Sequence, residues 1–182
     1  MMADLKKETK EIIKGVLMAI ILYFVIQISL VVATGVEDPI SVVISGSMDH
    51  HGYDFDDWWD SKGDEYVEYG ILEEDFSNYE YSNGFEKGDI LIITSIESEN
   101  IEVGDVIVFS RGEGTIPIVH RVVSITQYND DLYFITKGDY NPIADNFQSD
   151  GVPGVHESSV LGVVSGILPE VGKITLFFRG AL

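Results

Sequence analysis

Cysteine is missing from this sequence and basic residues are scarce, and both shortages narrow what the protein can be. None of the 182 residues is cysteine, which excludes disulfide bonds, thiolate metal sites and a cysteine nucleophile. Only 11 Lys and Arg residues stand against 31 Asp and Glu residues, so the formal net charge is -20 at pH 7. Nucleic acid is not expected as a partner, because a phosphate backbone needs a basic face. We interpret the charge as a solvated, self-repelling surface.

An uncharged, mostly aliphatic segment lies near the N-terminus, at 15–36. As an α-helix it would extend roughly 33 Å, enough to cross the hydrocarbon core of a bilayer. Four lysines precede it, and the next basic residue is Lys62. This bias predicts a single-pass protein of the cell (plasma) membrane, with residues 1–14 in the cytoplasm and 37–182 outside. The tripeptide 33–35 (Ala-Thr-Gly) would suit signal-peptide cleavage, but the apolar run exceeds the ~7–15 residues of a usual signal core. We therefore predict a retained transmembrane anchor.

Short β-type runs dominate the rest of the chain, separated by Gly, Asn and Asp. They lie at 41–45, 89–95, 105–110, 117–126, 132–136 and 160–167. Strands at this spacing predict a mainly β domain, either a sandwich or a barrel. Residues 129–131 (Asn-Asp-Asp) predict a hairpin connection. The apolar tail, 173–182, is too short to span a membrane, and the sequence leaves open a last strand, a membrane-associated segment or the start of a second anchor.

Residues 49–86 differ in composition from the β-type runs and are interpreted as an acidic, aromatic insertion with short helices near 55–61 and 71–79. It holds both tryptophans, Trp58 and Trp59, and five of the nine tyrosines. The sequence leaves four roles open for this insertion: capping a groove, contacting the bilayer through the tryptophans, binding a partner or forming a packed surface subdomain. Close together in its first part lie His50, His51, Asp54, Asp56 and Asp57, which could ligate a metal. Acidic loops are usually just solvated, so no metal site is expected.

The residues 45–48 (Ser-Gly-Ser-Met) directly follow the first β-type run and form a candidate nucleophile turn. Gly46 permits a sharp turn of the backbone, which would expose Ser47 and aim its amide at a reacting carbonyl oxygen. A serine hydroxyl is a poor nucleophile unless a base accepts its proton. Of the four histidines, only His120 lies inside a β-type run, and Asp139 and Asp145 follow in a later loop. Taken singly, each of these residues has an ordinary structural explanation.

Four motifs in order give a more specific signal behind the N-terminal apolar segment. They are Ser45-Gly46-Ser47-Met48, Gly104-Asp105-Val106-Ile107-Val108-Phe109, Ile118-Val119-His120-Arg121-Val122, and Thr136-Lys137-Gly138-Asp139 with Asp145 six residues on. Together they resemble the type I signal peptidases of the archaeal and endoplasmic-reticulum kind. This is the Sec11-like branch of serine peptidase family S26, in which histidine replaces the lysine of the bacterial branch. The sequence departs from the usual pattern in having Asp49-His50 after the methionine and in carrying the insertion.

The resemblance implies a role for each matched residue in a signal-peptidase-like β-domain. Ser47 would be the nucleophile and His120 the general base and later the general acid. Asp145 would orient His120, and Asp139 would be a second supporting carboxylate, although which aspartate contacts the ring stays open. The Ser45 hydroxyl and the Ser47 amide would stabilise the oxyanion. The alternative base is Lys137, because bacterial relatives use a serine–lysine pair.

The implied activity is the endoproteolytic removal of N-terminal signal peptides from exported preproteins, without a cofactor. The extended cleavage segment would add to the sheet beside shallow apolar pockets. The expected lining residues are Val42, Val43, Ile44, Ile118 and Val119. The expected partners are signal peptides, membrane lipid and the protein-translocation channel.

The sequence offers two alternatives to proteolysis. One is a noncatalytic, membrane-tethered β-domain that binds export-machinery partners through 49–86. The other is a self-cleaving regulator of the related serine–lysine fold. The intact Ser47, His120 and paired aspartates favour catalysis over the first. The apolar anchor and the lack of a DNA-binding element argue against the second.

Overall fold

A computed structural model describes residues 2–112, 114–149, 151–173 and 176, with side chains from residue 8 onward. Most of the predicted tail, 173–182, therefore lies outside the described residues.

The N-terminal segment forms one long helix, α1 (Met2–Thr34). Its stretch Glu8–Thr34 is long and apolar enough to cross a membrane, and an 18-residue window within it has a mean hydropathy of 2.7. Gly35 follows with φ +73°, the left-handed conformation that commonly ends a helix at a glycine. The helix end is tied to the β-domain, because the Ser95 amide donates to the Thr34 carbonyl at 2.7 Å.

The remainder is mainly β, as predicted, and its central element is a curled, half-barrel sheet of seven strands. The nine strands are β1 (Ile40–Val42), β2 (Ile90–Thr94), β3 (Val106–Phe109), β4 (Ile118–Tyr128), β5 (Asp131–Lys137), β6 (Gln148–Ser149), β7 (Val152–Pro153), β8 (Val155–His156) and β9 (Val160–Leu168). In the large sheet the order is β1-β2-β9-β3-β4-β5-β8, with every neighbouring pair antiparallel. Strands β6 and β7 form a separate pair.

The strand predicted at 41–45 is shorter in the structure and ends at Val42. Val43 instead exchanges backbone hydrogen bonds with the loop before β2, through Gly88 and Asp89, both at 2.9 Å. The hairpin predicted at 129–131 is confirmed as a two-residue turn between Tyr128 and Asp131. Both turn residues have positive φ, 51° and 73°, as a type I′ hairpin turn requires.

The insertion folds into three short helices: α2 (Phe55–Lys62), α3 (Asp64–Val67) and α4 (Glu73–Ser77). The helix predicted at 55–61 is confirmed, and the one predicted at 71–79 is shorter. Helix α3 was not predicted, because four residues are too few to show a helical period. The Asp54 side chain caps α2 by accepting from the Asp57 amide at 3.0 Å.

The insertion has its own aromatic core, which packs against Val123 of β4. Its buried members are Trp58, Tyr66, Ile71 and Phe76. Because Trp58 is only 2% exposed, the suggested bilayer contact through this residue is wrong. Trp59 is partly buried in the same cluster, so the insertion is a packed subdomain.

Candidate active site

The turn after β1 leaves Ser47 partly exposed, while contacts hold its backbone and the residue that follows it. The next residue, Met48, is 1% exposed in the first core cluster, and its carbonyl accepts from the Phe85 amide at 3.0 Å. The Ser47 carbonyl accepts from the Tyr140 amide at 2.9 Å. The hydroxyl is therefore presented from a backbone that is held on two sides.

Ser47, His120 and Asp145 lie in a row. His120 is 6% exposed on β4, and its Nε2 lies 3.0 Å from Ser47 Oγ. Its Nδ1 lies 2.5 Å from Asp145 Oδ2. A neutral ring protonated at Nδ1 donates to the carboxylate and leaves Nε2 free to accept the serine proton.

Asp145 is positioned by β5. Its amide donates to the Thr136 carbonyl at 2.7 Å, and its Oδ2 accepts from Thr136 Oγ1 at 2.7 Å. Thr136 was not singled out from the sequence, although it opens the Thr-Lys-Gly-Asp motif. The carboxylate oxygen that faces the imidazole thus has a second, neutral donor that restricts its orientation.

Asp139 does not belong to the row formed by Ser47, His120 and Asp145. The described contacts of its carboxylate are with Arg121, Tyr66 and His50. Arg121 Nε and Nη2 donate to its two oxygens at 3.0 and 2.8 Å. Tyr66 donates to Oδ1 at 2.8 Å, and His50 Nε2 lies 3.3 Å from Oδ2. Burial by itself would raise the pKa of the Asp139 carboxyl, but the Arg121 charge and the hydrogen bonds outweigh it and hold the pKa well below its usual range. Asp145, not Asp139, is the aspartate beside the His120 ring.

Arg121 joins the strand that carries His120 to the insertion. Neighbouring residues of a strand point to opposite faces, so His120 faces Ser47 while Arg121 faces the aromatic core of the insertion. All five guanidinium N–H groups have acceptors. Besides the two Asp139 oxygens, these are the carbonyls of Glu80, Gly104 and Tyr81 at 3.0, 2.9 and 2.8 Å. The guanidinium also lies 4.7 Å above the Phe76 ring.

Lys137, the alternative base, is fully buried on the insertion side of the sheet. Its Nζ forms an ion pair with Glu65 Oε2 at 2.9 Å and lies 4.3 Å above the Tyr66 ring. Burial lowers the pKa of Lys137, and the Glu65 carboxylate opposes part of that shift. Its described contacts do not include Ser47, whereas those of His120 do.

The expected oxyanion and substrate residues surround the Ser47 turn and the start of β4. Ser45 Oγ is exposed and lies 3.3 Å from Ser47 Oγ. Val43 is packed in the first core cluster and is 8% exposed, whereas Ile44 is 47% exposed. The remaining expected lining residues, Val42, Ile118 and Val119, are partly buried.

Among the described strands, only β3 pairs with the first residues of β4, so their other edge is unpaired there. Strand β5 pairs with β4 only from Arg121 onward, whereas β3 pairs with Ile118, Val119 and His120. An extended peptide could therefore pair with 118–120 beside the Ser47 turn.

The metal-ligating side chains of the insertion are dispersed. His50 is buried and stacks on Trp58 at 3.9 Å, while Asp54 caps α2. Within the described ranges, His, Asp and Glu residues form no group of three or more suited to a metal ion.

Comparisons with known proteins agree with the four sequence motifs. No family model matches the chain. It is 31% identical over 152 residues, 82% of its length, to human signal peptidase complex catalytic subunit SEC11C. It is 31% identical over 81% of its length to subunit sec11 of Dictyostelium discoideum and 29% identical over 80% to subunit SEC11 of Schizophyllum commune. The chain spans 62%, 64% and 67% of the length of these three relatives. The resemblance inferred from the motifs is thereby confirmed.

Proposed function

We propose that this chain is a serine endopeptidase that removes signal peptides from exported preproteins. The premise is its homology to the Sec11 catalytic subunits of signal peptidase complexes. The observation that carries the proposal is the row formed by Ser47, His120 and Asp145, with separations of 3.0 and 2.5 Å. These three groups are what acyl transfer by a serine hydroxyl requires.

In the acylation step, Ser47 Oγ attacks the scissile carbonyl carbon while His120 Nε2 takes the hydroxyl proton. The resulting imidazolium is stabilised by the Asp145 carboxylate at Nδ1. The C–N bond then breaks, and His120 gives the proton to the departing amine. Water repeats the sequence on the acyl-enzyme, which frees Ser47 and the signal-peptide carboxylate.

The tetrahedral intermediate requires hydrogen-bond donors for its oxyanion. We assign that role to the Ser47 amide and the Ser45 hydroxyl, whose oxygen lies 3.3 Å from Ser47 Oγ. The Ser45 side chain is exposed in the free protein, so it can turn from Ser47 toward a bound substrate. Removal of one such donor typically costs about 10²- to 10³-fold in kcat.

The substrate segment lies extended between the end of β1 and the unpaired edge of β4 at 118–120. Ile44, Ile118 and Val119 supply apolar surface of limited depth there, which favours small side chains next to the scissile bond. The buried Val43 contributes to the shape of this surface from below.

The helix α1 holds the enzyme in the same bilayer as its substrates. Gly35 and Ser47 are separated by a short segment, so the nucleophile stays near the membrane surface, on the side opposite the four N-terminal lysines. Sharing one membrane raises the effective concentration of a membrane-inserted signal peptide. The plasma membrane is the proposed location, and lipid and the translocation channel are the proposed neighbours.

The proposal is tested by incubating membranes that contain either the wild-type chain or Ser47→Ala with a radiolabelled preprotein. We expect a mature product from the wild type only, with a new N-terminus after a small residue. Equal processing by the two membranes, at equal protein levels, would refute the proposed chemistry.

Gly138 provides a second prediction, because a side chain there would press on the reacting groups. An added Cβ would lie 2.7 Å from the Ser47 carbonyl and 2.9 Å from His120 Nε2. Gly138→Ala is therefore expected to lower kcat by about 10- to 100-fold, since small displacements of reacting groups are costly. Steady-state cleavage of a synthetic signal-peptide substrate measures this.

The matched control for Gly138→Ala is Gly166→Ala on β9. A Cβ there would first meet the Ile92 side chain, at 3.2 Å, in a region remote in sequence from the site. We expect kcat within about twofold of wild type for this control, because the added Cβ would meet the Ile92 side chain and not the reacting groups. Similar kcat values for both variants would show that the Gly138 contact does not matter.

A further inference from the structure

The backbone at 138–140 determines how the nucleophile and the base meet. Besides the close approach of Gly138 to Ser47 and His120, the Tyr140 amide donates to the Ser47 carbonyl at 2.9 Å. The Asp139 amide also contacts Met48 Sδ at 3.4 Å. A shift of this segment would change the separation of Ser47 Oγ and His120 Nε2.

Two consecutive residues of the insertion hold the two residues that flank Gly138. Glu65 on α3 pairs with Lys137 at 2.9 Å, and Tyr66 donates to Asp139 at 2.8 Å. The Lys137 ammonium also lies over the Tyr66 ring. The side chains of Lys137 and Asp139 are fully buried, and Glu65 is 22% exposed, so water competes little for these contacts.

Tyr66 is itself held in place. Its ring is fully buried and packs against Trp58 and Phe76, with centroids 5.8 and 4.7 Å apart. Burial raises the pKa of its hydroxyl, and the Asp139 charge raises it further, so the hydroxyl remains a donor at neutral pH. The insertion core thus anchors the donor rigidly relative to β4.

We propose that Glu65 and Tyr66 are positioning residues of the active site, which hold Lys137 and Asp139 and so keep Gly138 against Ser47 and His120. This rests on the proposed function. It gives the insertion a catalytic purpose: α3 supports the site from the face of the sheet opposite the substrate. Neither residue touches the reacting atoms, and both act through 137–139.

The test uses Tyr66→Phe, which removes the hydroxyl and keeps the ring over Lys137. In the detergent-solubilised full chain we expect kcat to fall about 10-fold, with KM unchanged. Rates are divided by the folded fraction, measured by tryptophan fluorescence at the assay temperature. We also expect the acid limb of the kcat–pH profile to move, because the variant would misalign the His120 imidazole with the Ser47 hydroxyl. Loss of folded protein alone would lower the whole profile without moving it.

Three further variants complete the design. Glu65→Gln removes the charge facing Lys137 and is expected to act in the same direction, and the double variant should lose less than the product of the single losses, because both act through one segment. Should Tyr66→Phe not fold, Glu65→Gln decides the question. Tyr69→Phe, an exposed tyrosine of the same insertion, is the control and should match wild type.

Values of kcat within about twofold of wild type for both folded variants, with an unmoved acid limb, would overturn the inference. An equal loss in Tyr69→Phe would do the same. Failure of the proposed function is distinguishable, because it would appear as a wild-type chain that does not cleave or as a Ser47→Ala chain that does.

Discussion

Exchanging His120 for alanine is expected to lower kcat by about 10⁴-fold or more, with little change in KM. The Ser47 hydroxyl would lose the base that lies 3.0 Å away, and the described contacts of the buried Lys137 offer no replacement. Steady-state cleavage of a synthetic signal-peptide substrate by the detergent-solubilised full chain measures the effect.

The double variant Ser47→Ala/His120→Ala should be no less active than the worse single variant. Residues that act as one catalytic unit lose their effect together, so their losses are strongly non-additive. The control is His51→Ala. His51 is exposed, and its ring lies 3.6 Å from Asp49 and packs edge-on against Tyr140, so kcat should stay within a few-fold of wild type. A His120→Ala enzyme with near wild-type kcat would exclude the imidazole as the base.

The second large effect is on stability. Asp139→Ala is expected to lower the free energy of unfolding by about 3–5 kcal/mol, because it leaves the fully buried Arg121 without its counter-charge. The aromatic core of the insertion contains both tryptophans, so urea unfolding followed by tryptophan fluorescence reports directly on this region. The midpoint should fall while the urea dependence remains the same.

Two comparisons separate the buried charge from other effects of Asp139→Ala. Arg121→Met/Asp139→Leu should lose less stability than Asp139→Ala, because no unpaired charge remains buried. Asp56→Ala, at an exposed position of α2, should stay within about 0.5 kcal/mol of wild type. A loss of under about 1 kcal/mol for Asp139→Ala would contradict the assigned role of the ion pair.

The same ion pair predicts a pH dependence. Folding lowers the pKa of the Asp139 carboxyl from its ordinary value of 3.8. A group of this kind contributes stability that is complete above its unfolded-state pKa and is lost as the pH falls toward its folded-state pKa. The difference in unfolding free energy between wild type and Asp139→Ala should therefore shrink from about pH 4 downward.

Local patterns predicted much of the fold. Hydrophobic runs bounded by Gly, Asn and Asp placed β2, β3, β4, β5 and β9 within two residues of their observed ends. Such runs, like the long apolar helix, reflect the conformational preferences of residues that are neighbours in the sequence. The end of β1 at Val42 and the short α3 were missed. Val43 is satisfied by hydrogen bonds from a loop some 45 positions away, and α3 is stabilised by packing more than by its own four residues.

The candidate site was likewise predicted only in part from local sequence patterns. Motif order was enough to single out Ser47, His120 and two aspartates, because each short motif is readable without knowing what it packs against. Two other features depend on how the sheet curls and where the insertion docks. These are the choice of the aspartate that faces the imidazole and the hydrogen bond from Tyr66 to Asp139. The Ser47–His120 and Tyr66–Asp139 contacts each join residues 73 positions apart, and no local preference of the chain encodes a meeting at that distance.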